Sequence, residues 1–76
     1  MKTEKFYDPR ISINVSYAGF TELANEYLAK YGRKATGGGT MTYYTFKITS
    51  YRTKDHNTQI DVTIDYRNQT IELKTI

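Results

Sequence analysis

The chain has 76 residues, enough for one domain, and such a domain buries only roughly 60% of its unfolded surface. It has no cysteine, which excludes disulfide staples and thiolate metal sites, and no apolar run near the ~20 residues of a membrane span. The net charge is +3, with a pI near 9.2, which permits contact with nucleic acid without demanding it.

Residues 1–10 are polar and end in Asp8-Pro9. They read as an N-terminal arm, with Phe6 and Tyr7 available to dock it, and residues 11–76 read as a single α+β domain. No apolar run follows Met1-Lys2-Thr3-Glu4-Lys5, so no signal peptide is read there and a cytoplasmic location is expected.

Residues 11–17 alternate. Ile11, Ile13, Val15 and Tyr17 share one side, and Ser12, Asn14 and Ser16 the other. This predicts a first strand with one buried face. Residues 21–31 carry Leu23, Ala24, Tyr27, Leu28 and Tyr31 on one helical stripe, with Thr21 as N-cap and Gly32 as the left-handed terminator. Residues 33–40 form a loop around Gly37, Gly38 and Gly39, read as a flexible connector. Its second reading is a basic finger that orders on a partner. The loop lacks the spacing of a nucleotide-binding P-loop.

Residues 41–52 predict a second strand, with Tyr44, Phe46 and Ile48 inward and Tyr43, Lys47 and Tyr51 outward. A turn at 53–57 leads to a third strand at 58–66, with Ile60, Val62, Ile64 and Tyr66 inward. Arg67-Asn68 turns the chain into a fourth strand at 70–76, with Ile71 and Leu73 inward. Pairing Phe46 with Val62 sets Lys47 opposite Asp61. Pairing Ile64 with Ile71 and Val62 with Leu73 sets Asp61 opposite Lys74. The predicted order is β-α-β-β-β, with a single helix on one face of a mainly antiparallel four-stranded sheet. The first strand fits either edge. The fourth leaves an open edge through which a homodimer could form.

Catalytic chemistry is poorly provided for. The single histidine, His56, falls in a turn between Asp55 and Asn57. Asp61 and Asp65 share a strand face about 13 Å apart, too far for a glycosidase pair. No metal site and no cofactor are expected, and the chain is read as non-enzymatic.

Eight tyrosines with no tryptophan point instead to contact. Residues with AT-rich codons (Phe, Tyr, Met, Ile, Asn, Lys) outnumber those with GC-rich codons (Gly, Ala, Arg, Pro) more than two to one, so a low-GC genome supplies part of that count. The expected function is a protein-binding module, in narrower form a phage or mobile-element modulator of a host protein. Its contact face would be the outer sheet face, with Tyr43, Lys47 and Tyr51, rimmed by Arg33 and Lys34. The alternative is a nucleic-acid-binding domain in which Lys30, Arg33, Lys34, Arg52 and Lys54 touch phosphate and tyrosines stack on bases.

Overall fold

The computed structural model describes residues 2–36, 38–50 and 59–75. Five strands form one antiparallel sheet: β1 (Lys2–Tyr7), β2 (Thr40–Met41), β3 (Thr45–Ser50), β4 (Ile60–Asp65) and β5 (Thr70–Thr75), in spatial order β1-β5-β4-β3-β2. One helix, α1 (Tyr17–Leu28), packs on β3 and β4, and a short 3-10 turn (Ala29–Tyr31) follows it. The α+β class with a single helix on an antiparallel sheet is as read from the sequence, with one strand more.

Two strands are new, the N-terminal segment β1 and the short β2, and the one expected at 11–17 is lost. The N-terminal segment is not a loose arm: β1 pairs with β5 along its whole length, from Lys2 opposite Thr75 to Tyr7 opposite Thr70. It therefore covers the edge of β5 that the sequence left open. Phe6 turns inward, opposite Ile71, and its ring lies 5.5 Å from that of Tyr27. Polar side chains suit an edge strand, which needs only one anchoring apolar residue.

The strand expected at 11–17 does not form. Ile11 is fully buried, yet Ile13 is 70% exposed. The segment closes turns on itself: the Ser12 hydroxyl accepts from the Asn14 amide (3.2 Å), and the Ser12 carbonyl accepts from the Val15 amide (3.2 Å). Serine bonding to its own downstream backbone competes with a sheet ladder, and here it prevails. The helix then starts earlier than predicted. Ser16 is the N-cap, accepting from the Gly19 amide at 3.0 Å, while Thr21 lies inside α1 and donates to the Tyr17 carbonyl. The other end is as expected: Gly32 takes φ 67°, the left-handed region that glycine enters without penalty.

The expected strand at 41–52 is interrupted. Thr42 accepts from the Thr45 amide through its side chain (3.1 Å) and donates its own amide to the Thr45 carbonyl (2.7 Å). This tight turn splits the segment into β2 and β3. It carries Tyr44 out of the core, to 45% exposure, beside Tyr43 at 77%. Tyr51, the turn at 53–57 and His56 lie outside the described residues.

The β4–β5 register matches the prediction: Ile64 opposite Ile71, Val62 opposite Leu73, Asp61 opposite Lys74. The β3–β4 register is displaced by two residues. Phe46 faces Ile64, so Lys47 faces Thr63 and Asp61 faces Thr49. A slip of two keeps every inward residue inward, so the apolar pattern is blind to it. Tyr66 distinguishes the alternatives: its amide donates to the Tyr44 carbonyl (3.0 Å) and its hydroxyl to the Thr45 carbonyl (2.8 Å). These two bonds outweigh one exposed lysine–aspartate pair.

The core lies between helix and sheet. Phe20 from α1 stacks on Phe46 of β3 (5.6 Å) and on Tyr66 (4.8 Å), surrounded by Ile11, Leu28, Val62, Ile64, Ile71 and Leu73. The glycine loop is tied to this core. The Tyr17 hydroxyl accepts from the Gly39 amide and donates to the Gly39 carbonyl. A Cβ on Gly39 would sit 2.6 Å from Cε1 of the Phe46 ring, so a glycine is needed there for close approach.

Candidate functional site

Among the described residues, the outer face of the sheet, away from α1, is polar apart from Tyr7, which is 65% exposed on the edge strand. The register places Thr3, Lys74, Asp61 and Thr49 in one row across it. Lys5, Glu72, Thr63 and Lys47 make a second row, and Tyr7, Thr70, Asp65 and Thr45 a third. Among the described residues, three lysines and three carboxylates balance on this face. Asp61 is occupied by the Thr49 hydroxyl (3.1 Å) and the Gln59 amide (2.9 Å). Lys47 points outward here as expected, but Tyr43 stands apart, at the tip of the β2–β3 turn.

The residues read as its rim lie elsewhere. Arg33 is buried, and its amide donates to the Leu28 carbonyl. The Lys34 carbonyl accepts from the buried Ser50 hydroxyl, and the Ala35 amide donates to the Asn25 side chain. The segment bearing Arg33 and Lys34 is thus fastened on the helix side of the sheet. Arg33 in particular is not an exposed contact residue. Lys30 spreads its ammonium over the rings of Phe6 (5.2 Å) and Tyr27 (4.9 Å). Arg52 and Lys54 lie outside the described residues.

Three loops meet instead at the turn end of the molecule. They are residues 11–13, residues 43–44 and residues 66–69. Between them lies a cleft of about 350 Å³ lined by Ile11, Ser12, Ile13, Tyr43, Tyr44, Tyr66, Arg67 and Gln69. Each wall has a local cause. The Ser12 turn exposes Ile13. The Thr42 turn exposes Tyr43 and Tyr44, whose ring centroids are 4.6 Å apart. The Asp65 carboxylate accepts from the amides of Arg67 (2.9 Å) and Asn68 (3.1 Å) and shapes the β4–β5 turn. Burial raises the affinity of Asp65 for its proton, but those bonds from Asn68 and Arg67 outweigh it and hold the group below the usual carboxylate range. The same turn swings Arg67 over the Tyr44 ring, 4.3 Å from its centroid. Gln69, at φ 56°, closes the floor by donating to the carbonyls of Pro9 and Ile11.

The cleft offers apolar walls, exposed phenols and one guanidinium. Among the described residues, none that lines it is a carboxylate, imidazole or thiol. Among the described residues no group of acidic or histidine side chains is placed to hold a metal ion. Among them, too, no helix is long and apolar enough to cross a membrane. The sequence placed Tyr43 outside the core, as it is, but set Ile13 and Tyr44 inward and read Arg67 only as a turn residue. The available signals were local: a serine two residues before Asn14, and an aspartate ahead of Arg67-Asn68, both of which mark side-chain-to-backbone turns.

No family model, curated protein or solved structure matches this chain.

Proposed function

We propose that this chain is a small non-enzymatic protein-binding module whose contact site is the cleft between Ile13, Tyr43, Tyr44 and Arg67. The observation that carries the reading is the gathering of exposed large side chains around one concavity, with Tyr43 at 77% and Ile13 at 70% exposure. Tyrosine and arginine are the side chains enriched where binding energy concentrates, and a cluster of them around a pocket marks an interaction site. The narrower form, a phage or mobile-element factor acting on a host protein, is supported by small size and the AT-rich codon skew. A cytoplasmic location goes with that form.

The geometry supports the nucleic-acid alternative less well. Of its five cations, Arg33 is buried and Lys30 lies on two rings, and the outer face carries Asp61, Asp65 and Glu72. Backbone recognition needs several cations along one track.

The test is affinity capture with the protein as bait, comparing it with Tyr43→Ser/Tyr44→Ser and with Lys47→Glu on the outer face. All three substituted side chains are exposed, so each variant is expected to fold, which circular dichroism checks. The double variant is expected to lose at least about tenfold of the recovered partner, two contact residues costing roughly 1 kcal/mol or more each. Lys47→Glu is expected to retain it. Equal recovery by the tyrosine variant would overturn the assignment.

A further inference from the structure

We infer that the cleft takes an extended acidic peptide: one apolar side chain enters between Ile13, Tyr44 and Tyr66, and a flanking aspartate or glutamate lies on the guanidinium of Arg67. The inference rests on the protein-binding reading of the same site and specifies its partner.

Charge complementarity carries it. Among the described residues, Arg67 is the only charged one lining the cleft. Its guanidinium carbon lies 4.3 Å from the centroid of the Tyr44 ring, a cation–π contact that holds the charge at the cleft wall. Among the described residues, Arg67 forms no side-chain hydrogen bond or ion pair. The nearby Asp65 carboxylate feels the charge of Arg67 but takes its hydrogen bonds from the amides of Arg67 and Asn68 and from the Asn68 side chain (2.9 Å). Among the described residues, a ligand seated in the cleft therefore meets one positive group, a guanidinium whose planar fork suits a carboxylate. At about 350 Å³ the cleft is at the small end of ligand sites, with room for one large side chain.

The same features disfavour other occupants. A two-fold contact with a second copy sets the same patch against itself, and no described lining residue offers Arg67 a carboxylate there. A nucleic-acid strand needs successive cations, and the described lining residues supply one.

The experiment is an amide-shift titration of the ¹⁵N-labelled protein with three capped peptides. The first is acetyl-Gly-Glu-Phe-Glu-Gly-amide. The second has lysine in place of both glutamates, and the third has alanine in place of phenylalanine. The first is expected to move the amides of Ile13, Tyr43, Tyr44 and Arg67 saturably, with both others at least fivefold weaker. Arg67→Glu, a substitution at an exposed turn residue, is expected to reverse the order of the acidic and basic peptides. Equal affinity for both charge forms overturns the inference, as does tighter binding of an oligothymidine at these amides. If no peptide moves these amides while the tyrosine double variant still loses its captured partner, the acidic chemistry is wrong and the contact site stands. If that variant also keeps its partner, both readings fall.

Discussion

Phe20→Ala is expected to remove about 3–5 kcal/mol of stability, the usual cost of deleting a buried aromatic ring. Phe20 is fully buried and forms the middle of an aromatic stack, with Tyr66 at 4.8 Å on one side and Phe46 at 5.6 Å on the other. Its loss leaves a void between helix and sheet and strips both neighbours of a packing partner. It also reaches the candidate site, because Tyr66 forms part of the cleft wall. A domain of this length holds on the order of 4–11 kcal/mol in total. The substitution thus takes a large share, and each kilocalorie lost lowers Tm by roughly 4–8 °C at this size. Thermal unfolding followed by circular dichroism checks it. A drop under about 5 °C would mean that Phe20 does not hold the helix to the sheet.

Asp8→Ala is expected to cost about 2–3 kcal/mol. Asp8 is 4% exposed and stands where β1 leaves the sheet. It accepts from the backbone amide of Arg10 (3.0 Å), from Arg10 Nε (3.0 Å) and Nη2 (2.7 Å), and from the Tyr27 hydroxyl (2.9 Å). Arg10 in turn holds Glu26 through Nη1 (3.1 Å) and Nη2 (3.0 Å), so one carboxylate links the edge strand to two residues of α1. Removing it leaves the tyrosine hydroxyl without its acceptor and releases the arginine.

The same group predicts a pH dependence. Hydrogen bonding from Arg10 lowers the Asp8 pKa from the ordinary 3.8 to about 2. A carboxyl held lower in the folded state binds fewer protons there than in the unfolded chain. Its contribution is therefore complete above the unfolded value and drains away as pH falls from about 4 to about 2, amounting to about 2 kcal/mol. Asp65 is displaced in the same direction and adds to the slope. Urea unfolding from pH 7 to pH 2 is expected to show a shallower acid loss in Asp8→Asn than in the parent. Identical slopes would separate Asp8 from acid stability.

What could be read from the chain alone follows from the range of the interactions involved. The helix end at Gly32 and the pairing of Ile64 with Ile71 depend on a few neighbouring residues, and both were legible. Alternation also marked β4, β5 and the β3 part of the strand read at 41–52, because Phe46, Ile48, Val62, Ile64, Ile71 and Leu73 need one buried face, but it set Tyr44 inward where the Thr42 turn exposes it. The same rule misread residues 11–17, where Ser12 and Ser16 spend their hydroxyls on the backbone. It passed over β1, whose partner β5 is at the far end of the chain and whose one inward anchor is Phe6. The cleft was the least legible part. Ile13, Tyr44 and Arg67 belong to three separate turns, and only the strand order brings those turns to one end. Tyr43 was correctly placed outside the core, but the surface expected around it was the sheet face rather than the turn cluster.

The central claim is that this chain meets its partner through the cleft and not through the outer face of the sheet. The most direct measurement is the pattern of backbone amide shifts when the labelled protein binds the partner that it captures. The account predicts changes centred on Ile13, Tyr43, Tyr44 and Arg67, with Lys47, Thr63 and Glu72 unmoved. Changes centred on those last three residues, with the turn cluster unaffected, would contradict it.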